Sequence, residues 1–272
     1  MNAPTPKTLE EHRDYLYEIV KLKLFFTHLW LEQHPDESFR NVIRNRVDIY
    51  RKTEANPGPH TPDAVFFDLP AWKSMEDKAF DCYTRNLANR AAFEAEAFEI
   101  FKPSIDLRCE RDFLDNSVLA KYKCGSLKHD PQPSQDDPSS ISFHIANAIR
   151  PHSIFENPDY LRTCFLLLCQ SVKTQWGVKT LYCGSWLNSC PKWLAFFPQE
   201  WLDNMSAPSE NVAWHYGYWG QFITARGTFN AKYGKILRET GRLPHYPRVS
   251  HCSVEALEKF TLSKLAKKAL PR

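Results

Sequence analysis

The residues best suited to do chemistry fall in three short stretches. The first, YCGSWLN over residues 182–188, gathers a hydroxyl (Ser185), a thiol (Cys183), an amide (Asn188) and two rings (Tyr182, Trp186) around Gly184. A glycine at a strand-to-helix turn lets a ligand approach the backbone, and the helix that follows points free N–H groups back at the turn. Ser185 is the candidate nucleophile or hydroxyl donor there, with Tyr182, Cys183, Trp186 and Asn188 as candidate substrate contacts. The second, WHYGYWGQFIT over residues 214–224, reads as a strand whose alternation sets His215, Trp219 and Gln221 on one face. His215 exchanges a proton near neutral pH and is the candidate acid or base; Trp219 offers a ring face, and Gln221 a donor and an acceptor. The third set is His144, Asn147 and Arg150, at the end of another expected strand, where Arg150 could clamp a carboxylate or phosphate. No metal is expected, because no HExxH, HxH or zinc-spaced Cys/His pair occurs.

Composition narrows what such residues could be doing. The chain has 272 residues with only 9 glycines but 19 prolines, and it contains neither GxGxxG nor GxxxxGK[ST]. The backbone cradles of dinucleotide and P-loop enzymes are therefore missing. A net charge of +3 is too small to attract nucleic acid by itself, so the expected partner is a small molecule. No apolar run approaches the roughly 18 residues of a membrane span, so no membrane partner is expected. The eight cysteines form no CxxC pair, and the opening MNAPTPKTLEEHRDY lacks the apolar segment of a secretory leader. Reduced thiols and a cytoplasmic location are the expectation. Oligomeric state is left open.

These residues must be positioned by elements that the pattern also predicts. Residues 1–110 read as a helical region: a capping box at TLEE from Thr8, a second helix over residues 39–50 with a basic stripe of Arg40, Arg44 and Arg51, and a long helical stretch from Pro70 that breaks near Asn89 and stops around Pro103. Residues 111–272 read as a mixed α/β region: strands at 118–124, 142–147, 180–186 and 214–224, a helix from Asn157 to Gly177, and helices at 232–240 and 253–265. The expected fold class is α/β (α+β), a mixed sheet covered by helices, with both regions packed as one globular body. Ligands of such sheets sit beyond the carboxyl ends of the strands. Six of the eight tryptophans lie between Trp176 and Trp219, which suggests an aromatic-lined pocket at those ends.

Residues 142–224, through SFHIANA, CGSWLNS and FFPQEW, resemble the GNAT-like C-terminal domain of acyltransferase-type proteins. The resemblance implies an acyl-CoA N-acyltransferase-like topology and acyl transfer. The family's glycine-bearing pyrophosphate loop has no counterpart in residues 147–157, which contain no glycine. A CoA thioester and no cofactor at all therefore stand as equal alternatives. The leading expectation is a small-molecule-modifying enzyme, an acyl- or group-transferase. A cofactor-independent cyclase, lyase or hydrolase and a non-catalytic ligand-binding protein are the alternatives.

Overall fold

The structure, a computed structural model, describes residues 5–56, 67–214 and 217–269. In chain order its main elements are α1 (Leu9–Gln33), α2 (Pro70–Arg85), α3 (Arg90–Leu114), β1 (Leu127–His129), β2 (Ser140–Ile145), α4 (Pro158–Trp176), β3 (Thr180–Ser185), α5 (Ala231–Thr240), β4 (Arg248–Ser253) and α6 (Val254–Ala269). It is a mixed α/β protein with one four-stranded mixed sheet among the described residues. The chain divides into two compact units: a helical unit of residues 7–115 and 212–244, and a sheet unit of residues 1–6, 116–211 and 245–272.

The helical unit begins with the capping box expected at Thr8. Thr8 Oγ1 accepts the Glu11 N–H at 3.2 Å, and Glu11 Oε2 accepts the Thr8 N–H at 2.9 Å. α1 and α2 both pack on α3. The expected stop near Pro103 does not occur, and α3 runs through it to Leu114. An interior proline costs about 3 kcal/mol, and burial of Phe98, Phe101, Ile105 and Cys109 on both sides of it outweighs that cost. The helix expected over 39–50 is also irregular. A short helical turn, Phe39–Asn41, widens to a π-helical stretch, Val42–Val47, and ends at Asp48, whose φ of 55° lies in the left-handed region. The wider winding shifts the phase so that Val42, Ile43 and Val47 are all buried. The basic stripe is ion-paired: Arg44 clamps the buried Glu76, Arg40 meets Asp77 and Arg51 meets Asp48.

Residues 217–222, within the strand expected at 214–224, are not a strand. Gly217 turns the chain at φ 70°, and a 3-10 turn, Tyr218–Phe222, follows. Tyr218, Trp219, Gln221 and Phe222 are all buried, a periodicity that a strand's alternation cannot produce.

The sheet unit has strand order β1-β2-β3-β4, with β1/β2 antiparallel, β2/β3 parallel and β3/β4 antiparallel. α4 makes the crossover that parallel neighbours require. It opens on Asn157, whose Oδ1 accepts the Tyr160 N–H at 3.1 Å, and closes on Gly177 at φ 64°. β1 and β4 lie outside the strands that the pattern predicts, and in place of a strand at 118–124 the chain has a helical turn, Ser117–Ala120, and an isolated antiparallel bridge from Cys124 to Leu127. Phe143, Phe165, Leu181, Trp193, Phe197 and Trp201 anchor the core. All eight cysteines are unpaired thiols. Among the described residues no helix is long and apolar enough to cross a membrane.

Candidate functional site

β2 is shared between two partners in halves. Ser140, Ile141 and Ser142 pair with Thr180, Leu181 and Tyr182 of β3, whereas Phe143, His144 and Ile145 pair with His129, Lys128 and Leu127 of β1. The parallel neighbours are thus in register only over their amino-terminal halves, and the pairing ends at Ser142 opposite Tyr182. Alternation sends Ile141, Phe143, Leu181 and Cys183 into the core and leaves Ser142, His144, Tyr182 and Gly184 half-buried on the opposite face.

His144 on that face is held by Asp130, with Nε2 and Oδ1 2.6 Å apart and the two side chains 44% and 40% exposed. A carboxylate only accepts, so Nε2–H is the donor. The neutral ring then carries its lone pair on Nδ1, which makes no hydrogen bond among the described residues. The backbone of Asp130 is equally engaged. Its N–H donates to Ser142 O at 2.9 Å, and its carbonyl accepts the Nδ1–H of His129 at 2.6 Å. His129 Nε2 is left to accept the Ser171 hydroxyl at 2.9 Å, and Gln175 Nε2 donates to the same Ser171 oxygen at 3.0 Å. One residue therefore orients two imidazoles. Asp130 sits in a Pro-, Asp- and Ser-rich segment, and no local pattern in the sequence marks it as a partner of His144.

The other expected residues are distributed as follows. Ser185 ends β3, and its Oγ accepts the Leu187 N–H at 3.2 Å, capping the 3-10 turn Trp186–Ser189. Cys183 is buried, and burial, with Asp130 adding to it, pushes its thiol up to about 12. Asn188 is fully buried: Nδ2 donates to the carbonyls of Cys183 and Arg248 at 2.9 and 2.8 Å, and Oδ1 accepts the Trp193 indole N–H at 3.0 Å. Its amide ties β3 to β4. Trp186 stacks on His245 with centroids 5.9 Å apart. Asn147 donates to His152 O at 2.8 Å, and Arg150 is exposed. Trp219 and Gln221 belong to the helical unit, where Trp219 donates to Arg46 O at 2.9 Å and Gln221 Nε2 to Tyr218 O at 3.0 Å. His215 lies outside the described residues. The tryptophan-rich stretch is divided too. Trp193 and Trp201 are sealed in the sheet unit's core, where Trp201 stacks on Phe197 at 4.1 Å.

Two cofactor classes can be tested against these residues. No group of three or more His, Cys, Asp or Glu among the described residues could hold a metal ion. The start of α4 does not fit the pyrophosphate of CoA: Pro158 has no N–H to offer, Asn157 occupies the Tyr160 amide, and residues 146–157 provide no glycine for close approach. No known protein family matches the chain, and neither does any curated protein or solved structure.

Proposed function

We propose that the chain is an enzyme that modifies a small molecule by group transfer, with His144 as the base and Asp130 as the residue that orients it. The observation that carries this reading is the Asp130–His144 pair beside the point where β2 leaves β3. Where parallel strands part, backbone N–H and C=O groups lose their ladder partners, and an extended ligand can pair with them. Ligands of α/β sheets collect at such carboxyl-end divergences. Tyr182 and Ser142 supply hydroxyls on the same face. An acceptor O–H or N–H gives its proton to His144 Nδ1 as its oxygen or nitrogen bonds to the transferred group. The bond to the leaving group breaks, and His144 returns the proton to that group.

The β2–α4–β3 crossover and the sequence likeness of residues 142–224 support an N-acyltransferase-like topology and an acyl group as the cargo. The start of α4 does not suit CoA as the donor of that group. Eight unpaired thiols support a reducing, cytoplasmic setting.

The test is to incubate the full chain with a metabolite extract of its own host and follow mass changes. The wild type is expected to convert at least one small molecule by the mass of a transferred group. H144Q should slow that conversion by about 100-fold, in the range for a lost general base. No conversion by the wild type, or equal conversion by H144Q, would overturn the proposal.

A further inference from the structure

The sheet face that carries His144 also carries a cation. The Asp130 N–H donates to Ser142 O and the Ala146 N–H to Ser126 O, each at 2.9 Å. Midway between these two bonds, Lys128 stands directly opposite His144 in the antiparallel register of β1 and β2. Residues paired in this way point to the same side of the sheet, with Cβ atoms about 5.5 Å apart. Lys128 and His144 are therefore side-chain neighbours, and both are partly open to solvent.

Lys128 is also unspent. Its Nζ lies 5.4 Å from the centroid of the Tyr122 ring and makes no hydrogen bond or ion pair among the described residues. A ring face attracts an ammonium weakly and leaves its hydrogens available. Lysines elsewhere have found carboxylates: Lys102 meets Asp106, and Lys173 meets Glu258. Lys128 has a carboxylate on its own face as well, two residues further on, but Asp130 is committed to His144 Nε2 at 2.6 Å. One patch of the sheet thus presents an unmet proton acceptor, His144 Nδ1, beside an unmet set of ammonium donors. The charges of Lys128 and Asp130 cancel over a distance. A carboxylate, with one negative charge, gains from contact with Lys128, whereas a phosphate dianion sets a second charge against Asp130.

We propose that Lys128 binds the carboxylate of the molecule whose O–H or N–H gives its proton to His144, an assignment that rests on the role given to His144 above. The acceptor substrate is then a hydroxy or amino acid. Lys128 is its specificity residue: the ammonium holds the carboxylate equally before and during transfer, which lowers the concentration needed without lowering the barrier.

The full chain is incubated at pH 7.5 with a metabolite extract of its host, either untreated or with its carboxylic acids converted to methyl esters. Retention on equilibrium dialysis and conversion are both read by mass spectrometry. The wild type is expected to retain and convert a hydroxy or amino acid and to pass over its ester. K128Q should raise the KM for that acid by about tenfold and keep kcat within about twofold, and K128R should recover most of the loss. If the wild type converts a molecule that has no carboxylate, converts acid and ester alike, or matches K128Q in KM, the role of Lys128 falls and that of His144 stands. If it converts nothing but retains a carboxylic acid that K128Q releases, the transfer falls and the Lys128 site stands. Neither retention nor conversion overturns both.

Discussion

The two units keep their ionisable groups in opposite settings. In the sheet unit the interior is apolar and aromatic, and the Asp130–His144 pair stands half-exposed on a strand face, open to exchange with solvent. In the helical unit charged side chains from α1, α3 and the irregular segment between α1 and α2 meet in the interior, and their pKa values move far from the ordinary. Exposure leaves a proton carrier free to work at little cost in stability, whereas burial makes every charge a matter of stability as well as of binding.

The largest effects should fall on the two interiors and differ in kind. Trp201→Ala, which opens a cavity beside Phe197 and Phe143, is expected to cost about 3–5 kcal/mol in urea unfolding at any pH near neutrality. Asp112→Ala strips the counter-charge from Lys52 and Arg108 and should cost about 3–5 kcal/mol at pH 7. This second loss depends on pH. The folded-state pKa of Asp112 is depressed, so its contribution is full above its unfolded value of about 3.9 and disappears as pH falls below that. If both variants showed the same pH dependence, the contrast between the units would fail.

Lys23→Met should act in the reverse direction. Folded Lys23 titrates near 7 while the unfolded chain titrates near 10.4, so its penalty is full below pH 7 and fades as pH rises through that window. The variant is expected to gain on the order of 2–4 kcal/mol at pH 6–7 and progressively less toward pH 10, measured by chemical denaturation across pH. Removing the cap oxygen in Thr8→Ala should cost about 1 kcal/mol, read from the same experiment. His144→Gln should change stability by no more than about 0.5 kcal/mol while slowing conversion of the host metabolite by about 100-fold.

Much of the framework was legible in the chain because local signals and burial agree there. Thr8 and Glu11 announce the start of α1, and Asn157, Pro158 and Gly177 bracket α4. The failures come where tertiary burial overrides local pattern. Pro103 stays inside α3 because apolar residues flank it on the buried side, and the alternating letters of 214–224 hide a turn that buries neighbouring rings instead of alternate ones. The site was half legible. His144 stood out as a histidine at a strand end, but its partner Asp130 is fourteen residues away across a hairpin, and no spacing rule connects the two. Buried Lys23 and Arg108 carry no local signal that sets them apart. On a helix, charge reads as solvent-facing, and only packing reveals which cations the core has enclosed.

The most direct measurement is nitrogen NMR of the His144 imidazole in the wild type and in D130N, at a pH where the ring is neutral. If His144 works as the base, Nε2 will carry the proton and Nδ1 will resonate as an unprotonated nitrogen in the wild type, with that preference lost in D130N. A wild-type ring protonated on Nδ1, or a tautomer indifferent to Asp130, would contradict the role given to this pair.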